Sequence, residues 1–140
     1  MTLDEADHAR GWLTKAEHDI AGIHSFLKTD GPSDVACFLA QQAAEKFLKA
    51  VLAASDRPIV RTHVLLTLYR LVVDLHPEFV ADESELAALT PYAVDLRYDL
   101  KFLPDQSVAR EALAMAERVR RAVLDVLPPG IHPAKEGEAS

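Results

Sequence analysis

Apolar residues recur every three to four positions along most of this chain. The pattern predicts five helical segments and no credible strand. Leu13, Ala16, Ile20, Ile23 and Leu27 form the seam of a first helix from about Leu3 to Lys28, with Trp12, Asp19 and Phe26 beside it. Thr29-Asp30-Gly31-Pro32 ends that helix with Gly-Pro punctuation. Ser33 or Asp34 is the expected cap of a second helix that runs to about Ala54 and closes at Ser55-Asp56-Arg57-Pro58. Thr62 is the expected N-cap of a third helix, whose seam is Leu65, Leu68, Val72 and Leu75, ended by His76-Pro77. A fourth segment starts near Asp82-Glu83-Ser84 and carries Leu86 and Leu89. Thr90-Pro91 has the chemistry of a fresh N-cap and first helical position, so a break is expected there, with Tyr92 to Tyr98 continuing as helix. Residues 99–105 read as a loop. The last helix, from about Gln106 to Leu127, has Ala109, Ala112, Ala116, Val119, Val123 and Val126 in its seam, and Pro128-Pro129-Gly130 stops it. Long amphipathic helices on short connections make an all-α, antiparallel up-and-down bundle, one domain over residues 1–127, with residues 128–140 expected as a disordered tail.

Composition narrows the class. The 140 residues, 49% hydrophobic and 26% charged, are enough for one real core. No apolar run approaches the roughly 20 residues that span a bilayer. Met1 to Asp7 is acidic where a signal peptide is basic, and the single Cys37 cannot form an intrachain disulfide, so a cytoplasmic protein is expected. The formal net charge of −7 argues against a broad duplex-DNA surface but leaves room for a small cationic site. The six histidines, His8, His18, His24, His63, His76 and His132, include no pair at i, i+4, and there is no paired-Cys motif, so neither a metal nor a cofactor is expected. Cys37 lies on a helical seam and reads as core.

The second helix carries the most information. Its seam is Cys37, Ala40, Ala44, Phe47 and Val51, widened by Phe38, Leu48 and Leu52, and Gln41, Gln42, Glu45, Lys46 and Lys49 crowd its edges. Gln42, Lys46 and Lys49 stand at i, i+4 and i+7, on one side of the helix. That flank is either a solvated face with a charge pair or the wall of a groove that receives a phosphate or a partner. Two short groups raise the same question. Arg61-Thr62-His63 stands at the expected start of the third helix, where free backbone N–H groups and the positive dipole end suit an anion. Arg97-Tyr98 follows the seam residues Ala93 and Leu96. Arg97 either pairs with a carboxylate, Asp19 or Glu45, or holds a phosphate bidentately with Tyr98 stacking or donating its hydroxyl.

Taken in order, these residues resemble the HEPN domain family over roughly Gly11 to Leu127. The resemblance rests on Trp12-Leu-Thr-Lys-Ala-Glu-His-Asp19, on Cys37-Phe-Leu-Ala-Gln-Gln-Ala-Ala-Glu-Lys46 with Leu48-Lys49-Ala50, on Arg61-Thr-His63 with Leu65 and Leu68, and on Arg97-Tyr98. The second-helix string is the specific part. The resemblance implies an up-and-down bundle, commonly a homodimer, that binds nucleotides or RNA and is often paired with a minimal nucleotidyltransferase. Many members are metal-independent ribonuclease toxins with the nucleotidyltransferase as antitoxin. In these, Arg and His separated by four to six residues act on the phosphate and the 2′-hydroxyl. Here five residues separate Arg57 from His63, with Pro58 next to Arg57, whereas no His follows Arg97 before His132. Leu65 stands where some related toxins carry a Tyr that the partner adenylylates.

Three readings follow. In the first, the chain is a dimeric module that binds a nucleotide or RNA phosphate through Gln42, Lys46, Lys49, Arg61, His63, Arg97 and Tyr98 and acts with a nucleotidyltransferase. In the second it is a metal-independent endoribonuclease using His63 with Arg61 or Arg97. In the third it is a structural dimer module whose polar string is a hydrogen-bond network.

Overall fold

The computed structural model describes residues 3–132. Five α-helices follow in order: α1 (Leu3–Lys28), α2 (Ser33–Ala54), α3 (Leu65–Leu75), α4 (Glu83–Leu89) and α5 (Gln106–Val126). The all-α bundle is therefore as the apolar period predicts, and each of its four inter-helix connections contains Pro.

Helix α2 is the axis of the molecule. It packs along α1 and α5 and also meets α3 and α4. From Phe47 to Ala54 every side chain is buried, so its C-terminal half is enclosed on all sides. Small residues allow this: Ala40, Ala43, Ala44 and Ala50 on α2 and Ala109, Ala112 and Ala116 on α5 are all buried. Into that frame fit the larger side chains Phe47, Leu13, Ile23, Leu48, Leu65 and Leu68.

Helices α1 and α2 end the same way. The N–H of Gly31 reaches back to the carbonyl of Phe26 at 2.7 Å, and that of Arg57 to Leu52 at 2.9 Å. The residue before each, Asp30 (φ 52°) and Asp56 (φ 53°), adopts the left-handed conformation that such an ending requires. Asp82 caps α4 by accepting from the N–H groups of Ser84 and Glu85, and Asp105 caps α5 by accepting from Val108.

Four expectations need correction. Thr62 does not cap α3. Its hydroxyl accepts from Val64 N–H at 3.1 Å, and the helix begins only at Leu65. The donor of Leu65 is met from across the bundle by the Thr90 hydroxyl at 3.2 Å, which itself donates to the Leu86 carbonyl at 2.9 Å. Neither Ser33 nor Asp34 caps α2, which Pro32 precedes without a side-chain cap. The break at Thr90-Pro91 is real and takes the form of a single 3-10 turn, Thr90–Tyr92. Residues 93–98 then follow as turns instead of helix. Ala93 is their only buried residue, so no apolar stripe holds a regular helix there, and Leu96 N–H bonds to the carbonyl of Pro91, five residues back. The chain beyond Pro128 is also more ordered than expected up to His132. Pro129–Ile131 makes a second 3-10 turn that buries Ile131 and offers the Gly130 carbonyl to Arg10 at 2.7 Å. The remainder of the expected tail lies outside the described residues. Among the described residues, no helix is long and apolar enough to cross a membrane.

Candidate functional site

Three polar residues of α2 are inside the protein, while Gln42 and Lys46 on the expected flank are partly exposed, so the solvated-face reading holds only for part of it. Gln41 is 0%, Glu45 5% and Lys49 7% exposed. They recur at i, i+4 and i+8, so they line up on one stripe. Burial of three such groups is tolerable only if every donor and acceptor is met. Among the described residues, no buried side-chain polar atom lacks a partner.

Glu45 is the hub. One carboxylate oxygen accepts from Lys49 Nζ at 2.9 Å. The other accepts from His63 Nδ1 at 2.8 Å and from Gln41 Nε2 at 3.3 Å. Burial pushes this carboxyl up, but the hydrogen bonds from Lys49, His63 and Gln41, with the Lys49 charge, outweigh it and hold Glu45 below the usual carboxylate range. Gln41 Nε2 also donates to the His63 carbonyl at 3.0 Å, so α2 grips His63 twice, by ring and by backbone. With its amide nitrogen so used, the Gln41 oxygen accepts from Gln42 at 2.7 Å. The Lys49 ammonium lies 5.4 Å from the centre of the Trp12 ring, whose indole N–H donates to His8 at 3.2 Å.

This wiring fixes the chemistry of His63. An ionised carboxylate has no proton to give, so the Nδ1 atom that meets Glu45 carries the hydrogen. In the neutral ring Nε2 is then a free lone pair. The side chain is 56% exposed, and Nε2 has no partner among the described residues. An imidazole held at one nitrogen by a buried carboxylate and open at the other can accept a proton or, once protonated, donate one to an anion.

The other predicted site residues are placed as follows. Lys46 donates to Asp19 at 2.7 Å in a half-buried bridge between α2 and α1. Neither proposed partner of Arg97 is available, because Asp19 holds Lys46 and Glu45 holds Lys49 and His63. Arg97 instead lies over the ring of Phe38, 4.4 Å from its centroid, and 5.6 Å from that of Tyr98. It forms no ion pair among the described residues, and its side chain is exposed, with five N–H donors to offer. Arg61 is exposed in the irregular segment before α3. Phe38, under Arg97, and Glu45, under His63, are seven residues apart on one face of α2, about 10 Å along its axis, with Gln42 between them. Arg57, the other member of the Arg-x5-His spacing, belongs elsewhere. It lines an apolar cleft of about 360 Å3 with Leu52, Val60, Leu71, Asp74 and Leu75, which none of the predicted site residues reaches.

The sequence reading places Gln41 and Glu45 in the second-helix string without naming either as a site residue, and weighs Glu45 as a partner for Arg97. A signal existed. Gln41 follows Cys37 by four and precedes Ala44 by three, which puts an amide on a core position. Cys37 is core, as read: burial first, and then the Asp34 charge, push its thiol up to about 11, too high for a nucleophile near neutral pH. Among the described residues, no group of three or more His, Cys, Asp or Glu could hold a metal ion.

Comparison with known proteins bears on these residues as a set. The model of the family described as HEPN domain matches residues 9–126, which contain all of the groups above except His8. The crystal structure of TT1696 from Thermus thermophilus superimposes with a TM-score of 0.72 at 27% identity, covering 85% of this chain and 98% of that one. Among curated proteins, no match is found.

Proposed function

The chain belongs to the HEPN domain family, and from that premise we propose that it binds a phosphate-bearing ligand, a nucleotide or RNA, on the α2 face between Phe38 and Glu45, as a homodimer that works with a minimal nucleotidyltransferase. The observation that carries this reading is His63, gripped from inside by Glu45 and Gln41 and open outside at Nε2. A phosphate there would accept from protonated His63 and from the Gln42 and Arg61 side chains. Arg97, over Phe38 and so about 10 Å along the α2 axis from Glu45, would take a second phosphate or stack with Phe38 on a base. Lys46 and Lys49 serve the same face differently from a direct ligand. Each neutralises a carboxylate, Asp19 and Glu45, that would otherwise repel the anion. The chain's charge of −7 makes a local site the only electrostatically reasonable one.

The test is titration with nucleotides and short single-stranded RNA, followed by co-purification with a minimal nucleotidyltransferase. Arg97→Gln and His63→Ala are each expected to weaken binding by about tenfold, the loss of one charge-assisted hydrogen bond, while the melting temperature stays near wild type for Arg97→Gln. Unchanged affinity in both variants would remove the site.

The same observation favours a second reading, a metal-independent ribonuclease. A Glu-held imidazole is suited to take the proton of a 2′-hydroxyl. RNA cleavage in the presence of chelator, abolished in His63→Ala, distinguishes it from binding alone.

A further inference from the structure

Arg57, the first member of the Arg-x5-His spacing, has no part in the phosphate site. It lines instead the apolar cleft of about 360 Å3. Small-molecule sites span roughly 300–1,000 Å3, so the cleft has the size of one. The path of the chain makes it. From Arg57 the connection runs back along α2 until Gln41 holds the carbonyl of His63, and α3 then returns toward the end of α2. The C-terminal ends of α2 and α3 thus come together with the connection beside them. Buried Leu52 is the floor of the cleft, and Val60, Leu71 and Leu75 are its walls. The backbone around it is fixed. Pro58 restricts the chain next to Arg57, and the Arg57 N–H is tied to the Leu52 carbonyl at 2.9 Å.

Two opposite charges line this apolar cleft, and neither is spent. The Arg57 side chain makes no hydrogen bond or ion pair among the described residues. Asp74 makes none either. It pairs neither with Arg57 nor with Arg70, one turn earlier on α3. Its place is unfavourable for the bare fold. Asp74 stands in the last turn of α3, where a carboxylate faces the negative end of the helix dipole. Neither α2 nor α3 has a basic residue in its last turn to offset this. A cation placed there would meet the Asp74 carboxylate and the α3 dipole together. A carboxylate beside it would meet the Arg57 fork, which can hold it through two hydrogen bonds.

We propose that this cleft binds a free α-amino acid with an apolar side chain. Its carboxylate lies on Arg57, its ammonium on Asp74 at the end of α3, and its side chain on Leu52, Leu71 and Leu75. A segment of another protein answers the charges less well, since a residue within a chain carries neither of them and a chain terminus only one. The site shares no residue with the phosphate site and stands independently of it.

Isothermal titration calorimetry of the full chain tests the proposal, with L-leucine, L-phenylalanine and the blocked forms of each as probes. Saturable binding of at least one of the two amino acids is expected. Blocking the ammonium by N-acetylation, or the carboxylate as the amide, is expected to weaken binding by about tenfold. Arg57→Gln should weaken the amino acid by about tenfold and leave its amide, which has no carboxylate, within about twofold. Asp74→Asn should weaken the amino acid by about tenfold and leave the N-acetyl form within about twofold. Asp74→Asn should also melt no lower than wild type, because it takes a carboxylate away from the negative end of α3. No saturable binding of either amino acid at millimolar concentration overturns the proposal. Equal binding of the amino acid and both blocked forms overturns it as well, by leaving an apolar pocket without charge recognition. Tighter binding of the doubly blocked N-acetyl amide than of the free amino acid also overturns it, by giving the cleft to a protein segment.

Discussion

Replacing Glu45 by Gln removes one charge from the buried network while keeping its volume. What remains is the Lys49 ammonium, its side chain 9% exposed. Breaking a buried pair by removing one partner costs about 3–5 kcal/mol, because the other charge is left stranded. Two features soften this. The Trp12 face 5.4 Å from Nζ still offers the cation about 0.5–2 kcal/mol. The amide oxygen of Gln still accepts one hydrogen bond, about 1 kcal/mol. The His63 arm adds little to the loss, since a half-exposed pair is worth about 1 kcal/mol or less. The expected net is about 2–4 kcal/mol, nearly all of it from Lys49. Urea denaturation at neutral pH reads it as a lower midpoint at unchanged slope. The double variant Glu45→Gln/Lys49→Met removes both charges and should recover most of the loss, a coupling of about 2 kcal/mol or more. In parallel, nitrogen-15 NMR of the ring should find the Nδ1–H tautomer in the wild type and lose it in Glu45→Gln. A single-variant cost below about 1 kcal/mol, the range of an exposed pair, would refute the reasoning, since it would mean that water reaches Lys49.

Glu45 also sets a pH dependence. Its folded-state pKa lies below the ordinary 4.5, so the unfolded chain binds that proton more readily. The stabilisation is complete above about pH 5 and is lost as pH falls through the folded value; wild type should therefore lose more stability than Glu45→Gln between about pH 6 and pH 3, and parallel curves would count against it. Asp56 holds a left-handed φ of 53° with no side-chain hydrogen bond or ion pair among the described residues, so Asp56→Gly should stabilise by about 0.5–1 kcal/mol and raise the melting temperature by a few degrees; a lower melting temperature would contradict the helix-end assignment. The triple variant Gln41→Met/Glu45→Leu/Lys49→Met should stay within about 1 kcal/mol of wild-type stability, as apolar replacements of whole buried networks do, while nucleotide or RNA binding falls as His63 comes loose.

How legible all this was depended on the range of the interactions involved. The ends of α1 and α2 could be read because Gly31-Pro32 and Asp56-Arg57-Pro58 act on the chain beside them. The start of α3 could not, because its hydroxyl comes from Thr90, 25 residues away. The Glu45–Lys49 pair is an i, i+4 contact within reach of sequence reasoning, whereas its extension to His63 depends on how the 56–64 segment crosses α2. Arg97 was expected to want a carboxylate. It found the Phe38 ring, since both candidate carboxylates were already taken by nearer cations. The helix expected over residues 92–98 failed for a related reason: period alone cannot say whether an apolar side chain has a core to enter, and Tyr98 has none.

The buried network separates the structural reading from the functional ones. If Gln41, Glu45 and Lys49 served packing alone, the same stripe filled with Leu and Met would hold α2 as well, without desolvating two charges. What apolar residues could not do is fix a histidine. The network is asymmetric in that respect. At its inner end Lys49 is closed off by Glu45 and the Trp12 ring. At its outer end His63 is held by two bonds and presents its remaining nitrogen to solvent. Every buried side-chain polar atom among the described residues is satisfied, so the open valence falls at the surface and not in the core. On the proposed reading, an anion at Nε2 would meet a charge-assisted donor already oriented from inside the protein, at a point where Lys46 and Lys49 offset the nearest carboxylates of an otherwise acidic chain.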